Sequence, residues 1–218
     1  MRKILLPLMA ILLFVSCQKE TKTNVEKEKI TIPSVTICKQ VWMAKNLDVS
    51  NYRNGDVIPQ VTDAAAWAGL TTGAWCYYEN NGANGTTYGK LYNWYAVNDA
   101  RGLAPAGWHV PSDAEWTTLT DCLGGDRVAG GKMKETGTTH WQTPNTGADN
   151  SSGFTGLPGG NRFFFGPFNF IGLFGFWWSS TEVNTRFVWN RYLLYNGADA
   201  FRGTDGKANG FSVRCVRD

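Results

Sequence analysis

Few residues in this chain could do acid–base or nucleophilic chemistry, and they are widely spaced. There are two histidines, His109 and His140, and five cysteines, Cys17, Cys38, Cys76, Cys122 and Cys215. The cysteines are too far apart, and the histidines too few, for a zinc site. No Ser-His-Asp relay is indicated. His109 precedes Pro111 and the helix-start residues Ser112-Asp113-Ala114-Glu115, which suits a structural, hydrogen-bonded imidazole. Glu115 is accounted for as a cap residue, and His140 beside Trp141 has no chemical partner in the sequence. Asp199 and Asp205 carry the right ligand type for a cation but lack the regular oxygen spacing of a calcium loop. No catalytic residue, metal site or cofactor is therefore expected.

The residues that stand out are apolar. Seven of the twelve phenylalanines fall between Phe163 and Phe176. Their spacing follows neither 2 nor 3.6 residues, so one strand or helix face is not expected to hold them. Gly166, Pro167, Gly172 and Gly175 divide the segment into turns. Bulky apolar residues concentrated in surface loops point to a contact surface, hence to binding more than to catalysis.

Several elements are expected to position this segment. Val35–Val41 reads as a first strand, Ala64–Trp67 as one helical turn, Trp75–Tyr78 as a short aromatic strand and Asn80–Gly85 as a turn cluster. Between Tyr88 and Asn98, Leu91, Trp94, Tyr95 and Asn98 recur at helical spacing and predict an amphipathic helix. A second helix is predicted from the capping box Ser112–Glu115 through Trp116, Leu119 and Leu123 to Gly124-Gly125. Asp126–Glu135 adds a short helix. Short strands are expected at Gly175–Ser180, Phe187–Leu194 and Phe211–Val216. Two early helices followed by Gly-rich loops and short strands make an α+β domain.

The N-terminus reads as a processing segment. Arg2 and Lys3 precede an apolar run, Ile4–Val15, that is shorter than the roughly 20 residues of a membrane span. Phe14-Val15-Ser16-Cys17 resembles the lipobox of bacterial lipoproteins, with Phe14 where Leu is usual. That resemblance implies cleavage after residue 16 and lipidation of Cys17. Gln18-Lys19-Glu20 looks like a shortened form of the signal that sends lipoproteins of the Bacteroidota to the outer face of the outer membrane. Residues 17–34 read as lipidated Cys plus polar tether, and 35–218 as one domain. Without residues 1–16 the formal charge of +3 falls toward neutrality, because Arg2 and Lys3 are lost. No basic stripe remains, so nucleic acid is not an expected partner. Export permits disulfides among Cys38, Cys76, Cys122 and Cys215, with buried free thiols the competing reading.

Six segments together resemble one family: Gln40–Leu47, Tyr88–Val97, Gly107–Trp116, Leu157–Gly160, Trp177–Glu182 and Gly210–Val216. In order and composition they are similar to the Fibrobacter succinogenes major paralogous domain, over about residues 35–218. The resemblance implies a C-type-lectin-like fold of the formylglycine-generating-enzyme type: two main helices packed on short antiparallel strands, with long Gly-rich loops. Because Cys76 and Cys215 sit in family motifs and Cys38 and Cys122 do not, it favours the pairings Cys76–Cys215 and Cys38–Cys122. Enzymes of that fold use two neighbouring redox cysteines, and only Cys215 lies in the late region, so that activity is not carried over. The calcium-lectin signatures Glu-Pro-Asn and Gln-Pro-Asp are absent as well.

Some members of this fold are variable proteins of diversity-generating retroelements, in which AAC codons are rewritten as NNC. The fixed frame of such a region is matched by Asn161-Arg162, Gly166, Ile171-Gly172, Gly175, Trp177-Trp178, Trp189-Asn190-Arg191, Tyr195-Asn196, Arg202, Lys207 and Asn209-Gly210-Phe211. Between them lie the candidate ligand-binding residues Phe163, Phe164, Phe165, Pro167, Phe170, Leu173, Phe174, Phe176, Tyr192, Leu194, Gly197, Asp199, Phe201, Gly203, Thr204, Asp205, Gly206 and Ala208, all encodable by NNC. The expectation is a lipid-anchored, surface-displayed binding protein whose partner is a protein or glycan on another cell or phage. The alternatives are an undiversified polysaccharide-binding adhesion module and a structural outer-membrane lipoprotein.

Overall fold

The computed structural model describes residues 32–218. The signal segment, Cys17 and nearly all of the proposed tether lie outside the described residues. Ile32 and Pro33, assigned to the tether by the sequence, belong to the domain. Ile32 packs against the core, and the Pro33 carbonyl accepts a hydrogen bond from the Ala44 N–H at 2.9 Å.

The strands are β1 (Ser34–Ile37), β2 (Gln40–Met43), β3 (Trp75–Cys76), β4 (Leu91–Tyr92), β5 (Trp108–His109), β6 (Gly159–Arg162), β7 (Phe168–Ile171), β8 (Phe174–Glu182), β9 (Phe187–Leu194), β10 (Ala200–Gly206) and β11 (Val216–Arg217). The helices are α1 (Ala64–Ala68), α2 (Gly82–Tyr88), α3 (Trp94–Val97), α4 (Asp113–Cys122) and α5 (Asp126–Met133). Three sheets form: β1-β2-β11-β5, β10-β9-β8-β6-β7 and β3-β4.

This arrangement overturns the expected fold class. Sheets dominate, the longest helix has ten residues, and the five-stranded sheet contains strands of nine, eight and seven residues. No architecture of two main helices on short antiparallel strands is present, and β6 pairs with β8 in parallel. Of the two predicted helices only α4 forms as expected. Its Ser112 hydroxyl accepts from the Glu115 N–H while the Glu115 carboxylate accepts from the Ser112 N–H at 2.8 Å. The predicted helix at 88–98 is broken. Gly89 adopts φ +76°, outside helical space, and Asn93 then starts a separate one-turn helix by accepting from the Ala96 N–H. Leu91 and Tyr92 pair instead with Cys76 and Trp75. The turn cluster at 80–85 becomes α2, capped by Asn81. The strand predicted at 35–41 is a hairpin that reverses at Cys38, which has φ +51°. Only Val216-Arg217 of the last predicted strand joins a ladder, although Phe211 and Ser212 make single bridges to Tyr92 and Trp177.

Nine of the ten tryptophans, all but Trp189, supply bulk to the core, and polar partners fix the orientation of several. The indole N–H of Trp94 donates to the Ser179 carbonyl, that of Trp178 to Tyr92 and that of Trp141 to Gly156. One face of the large sheet, with Trp177, Leu193 and Ala200, packs on Trp116, Leu119, Ala129 and Met133 of α4 and α5. The opposite face, with Trp178 and Val188, packs on Trp94, Val97 and Phe211.

Cys38 and Cys122 are disulfide-bonded, tying the β1–β2 turn to the end of α4. Cys76 and Cys215 are not bonded to each other, contrary to the family-based expectation. They sit in separate clusters, Cys76 with Trp67, Tyr78 and Leu91, and Cys215 with Met43 and Val213. Burial pushes both thiols up to about 12, so neither supplies a thiolate near neutrality.

His109 has the structural role its position suggested. One ring nitrogen lies 2.7 Å from Glu115 and the other 2.7 Å from Asp218, joining α4 to the C-terminus. Partial burial opposes the imidazolium, but hydrogen bonds to Asp218 and Glu115 outweigh it and raise the His109 pKa above its ordinary value. Burial likewise opposes the Glu115 carboxylate, yet the Ser112 N–H and His109 hold its pKa below the usual range. A raised histidine contributes stability fully below its unfolded value of about 6.5 and loses it as pH rises through the folded pKa. A lowered carboxylate contributes above its unfolded value of about 4.3 and loses it on acidification. Urea unfolding should therefore show stability falling as pH rises above about 6.5. The same titration of His109→Gln should lack that fall; an identical fall would assign it to another group.

Candidate functional site

The phenylalanine segment is only partly a loop. Phe163–Phe165 lie in the loop after β6, whereas Phe168 and Phe170 lie in β7 and Phe174 and Phe176 in β8, two short runs of alternation separated by the Gly172-Leu173 turn. Strand register then gathers residues that are distant in sequence. Phe174 faces Leu194 across β8 and β9, Phe176 faces Tyr192, and Tyr192 faces Phe201 on β10. Opposite residues of an antiparallel pair project from the same side. By the same register Gly203 lies opposite Asn190, and Asp205 opposite Val188. Seven candidate residues, Phe174, Phe176, Tyr192, Leu194, Phe201, Gly203 and Asp205, thus share one face of the sheet.

Ring contacts extend that face outward. From the core, Trp178 meets Phe211 at 4.2 Å between centroids, Phe211 meets Phe176 at 4.8 Å, and Phe176 meets Phe174 at 5.4 Å. Phe174 contacts Phe170 at 4.8 Å, Phe170 contacts Phe163 at 6.1 Å, and Phe163 stacks on Phe165 at 5.5 Å. Phe164 ends the series at 5.0 Å from Phe165. A side branch runs from Phe176 through Tyr192 to Phe201, whose rings stack at 5.0 Å and 8°. Each such pair contributes about 0.5–1.5 kcal/mol beyond area burial. The buried end is rigid and the outer end meets solvent: Phe164 and Phe165 are each 54% exposed and Phe170 is 37% exposed. Phe170 also has φ +69°, a conformation a bulky side chain rarely adopts.

The other candidates divide. Pro167 lies in the β6–β7 hairpin turn and Leu173 in the connection from β7 to β8, beside the aromatic residues. Gly197 and Asp199 belong to the β9–β10 turn, which packs toward Lys134 and α5. Thr204 alternates to the sheet's other side, and Gly206 and Ala208 follow near Trp67, whose indole N–H donates to the Ala208 carbonyl at 2.9 Å. Asp199 and Asp205 flank opposite ends of a seven-residue strand, about 20 Å apart, and share no cation. Among the described residues no group of three or more His, Cys, Asp or Glu side chains is placed to hold a metal.

Residues beneath the face hold its outer loop. Arg162 is 1% exposed, and its guanidinium donates to the carbonyls of Gly166, Val61, Thr62 and Asp63 at 2.6–3.1 Å. The Trp67 and Phe168 rings cover its two faces at 4.5 and 4.8 Å. Gly166 turns the loop at φ +113°, where any β-carbon would also crowd Ala64. Asn209 adds a second tie by accepting from the Phe164 N–H at 2.8 Å and donating to Asp205 at 3.1 Å. Asp205 also accepts from Asn190 at 2.9 Å. Burial raises the Asp205 pKa despite these two amide donors. Sequence reasoning placed Arg162, Asn190, Asn209 and Phe211 in the fixed frame without seeing these supporting roles. The visible signal was a buried-type aromatic or a polar residue beside each proposed variable position.

Fold and face together define a β-rich domain with a rigidly backed aromatic surface. The chain belongs to the Fibrobacter succinogenes major domain family, whose family model matches residues 35–217. No curated protein and no solved structure matches the chain.

Arg162→Met should remove the donor shared by the carbonyls of Val61, Thr62, Asp63 and Gly166, of which only Gly166 is a fully buried residue. The expected cost is about 1–3 kcal/mol in chemical denaturation, with faster amide exchange at residues 163–167. Wild-type stability with unchanged exchange would show that the loop holds its shape without the guanidinium.

Proposed function

We propose that this protein is a surface-displayed binding lipoprotein whose aromatic face contacts a protein or glycan ligand on another cell or phage. The observation that carries the reading is the continuous series of ring contacts ending in three exposed phenylalanines. Exposed, rigidly backed aromatic rings lose little conformational entropy on contact and serve as anchors in interfaces. The anchoring part rests on the sequence alone, on Cys17 in its lipobox-like context.

Retroelement diversification of this face belongs to the same proposal. Burial divides the two sets in part. Asn161, Arg162, Gly166, Gly172, Gly175, Trp177, Trp178, Asn190, Arg191, Asn209, Gly210 and Phe211 of the fixed frame are buried, whereas Ile171, Trp189, Tyr195, Asn196, Arg202 and Lys207 are not. Of the proposed variable positions only Phe176 is buried, at 9% exposure. The proposed variable set is thus largely accessible to change.

Phe164→Ala and Phe165→Ala should each cost about 2 kcal/mol or less, because more than half of each residue is exposed and only one or two ring pairs are lost. A joint variant should lose the binding that the intact protein shows on arrays of glycans and bacterial surface proteins. Retained binding by a folded double variant would reject the aromatic face. Cys17→Ala should move the protein out of the membrane fraction; retention of a processed variant would reject the anchor. For diversification, the variable codons should end in C, and a near-copy with adenines at those positions should lie beside a reverse-transcriptase gene. Mixed third bases without such a copy would leave an undiversified adhesion domain.

A further inference from the structure

A second concavity, lined by none of the exposed phenylalanines, is built where four parts of the chain meet. It is a cleft of about 330 Å³, near the lower end of small-molecule sites. Tyr95 comes from α3, Asp99 and Arg101 from the loop after it, and Thr72 and Gly73 from the loop before β3. Glu182 ends β8, and Lys207 follows β10. Arg101 grips Asp99 with two hydrogen bonds of 2.8 Å, and the Lys207 ammonium lies 2.8 Å from Glu182.

Behind this lining lies a buried polar group without a partner. Tyr52 is 2% exposed, and its ring is covered by the Arg101 guanidinium at 4.1 Å. Its hydroxyl abuts Gly73 so closely that a β-carbon there would overlap it. The hydroxyl is near Asp99 and Arg101 but makes no aligned hydrogen bond to either. Burial, followed by the Asp99 carboxylate, pushes its pKa up to about 12, so it remains a donor. Buried polar atoms ordinarily find partners, and this one lies behind Gly73, which lines the cleft.

The charges of the cleft select the ligand class. Within the lining two carboxylates and two cations cancel one another in pairs, and Arg101 also reaches Asp56 at 3.2 Å outside it, so an anionic ligand meets no uncompensated cation. Each pair still has free acceptor lone pairs and free N–H donors side by side, since a guanidinium carries five N–H groups and a carboxylate about four acceptor sites. Adjacent hydroxyls of a polyol match that alternation, and half-buried Tyr95 offers an aromatic surface to a C–H face. We propose that this cleft binds one unit of a neutral saccharide through the Asp99–Arg101 and Glu182–Lys207 pairs and Tyr95. The site goes beyond the aromatic-face reading and does not depend on it.

The test is ligand-observed NMR titration of the full-length protein with methyl glycosides of glucose, galactose, mannose and N-acetylglucosamine and their disaccharides, with glycine betaine as a zwitterionic control. At least one sugar should bind with Kd near about 1 mM, a value typical of a few net polar contacts. Tyr95→Ala and Glu182→Gln, both at solvent-reachable side chains, should each weaken it about tenfold or more. Phe164→Ala should leave it unchanged, which separates this cleft from the aromatic face. The proposal fails if no sugar binds, if binding survives both cleft variants, if Phe164→Ala abolishes it, or if betaine binds more tightly than any sugar.

Discussion

Buried cations that bond to backbone carbonyls hold this domain together. Much of the chain is irregular, and irregular backbone leaves carbonyls unpaired that regular ladders would satisfy. Arg162 supplies donors to four of them. Arg214 donates to the carbonyls of Met43 and Phe154 and to the Asn46 side chain. Lys134, fully buried, donates to the carbonyls of Thr146, Leu194 and Gly197 at 2.8–2.9 Å. None of these three ends on a carboxylate; carbonyl dipoles and aromatic faces compensate them instead. Burial draws the Lys134 pKa down to about 8 and the Arg214 pKa to about 9, a measure of the solvation each has given up. Arg191 differs, because Asp113 meets it at 2.7 Å and joins α4 to β9.

These ties explain how a long irregular segment can present a defined surface. The five-stranded sheet has helices α4 and α5 on one side. On its other side the core ends partway along the strands, where Trp178 and Phe211 give way to Phe176, Phe174 and Tyr192. The outer rings are thus an extension of the core, not a patch resting on it. Arg162 and Asn209 fix the loop that carries Phe163–Phe165. A ligand meeting these rings would find them already ordered, which lowers the entropic cost of contact.

Local signals in the sequence were legible where short-range chemistry decides structure. The Ser112–Glu115 box starts α4 and Asp63 caps the Ala64 turn, each through groups a few residues apart, while α5 follows Gly125 at φ +93°. Long-range competition defeated the rest. The helical spacing at Leu91, Trp94 and Tyr95 is real, yet pairing of Leu91-Tyr92 with Trp75-Cys76 and the turn at Gly89 prevail over it. The same holds for Phe168, Phe170, Phe174 and Phe176, whose alternation within β7 and β8 is masked by the intervening turn. The Cys76–Cys215 pairing failed because β4 and its neighbours place the two thiols in different clusters.

By itself the sequence determined the family, the capped helix α4 and the concentration of aromatic residues in the last quarter of the chain. Each depends on residue identity or on spacing within a turn or two. Tertiary structure alone decided which of those aromatics share a face, which glycines and aspartates are set apart from it, and which thiols pair. It also brought Tyr95, Asp99, Arg101, Glu182 and Lys207 around one cleft. Those relations follow from strand register and from the buried cations that close the loops. A register shift of one residue would turn every side chain of a strand to the opposite face without changing a single local propensity.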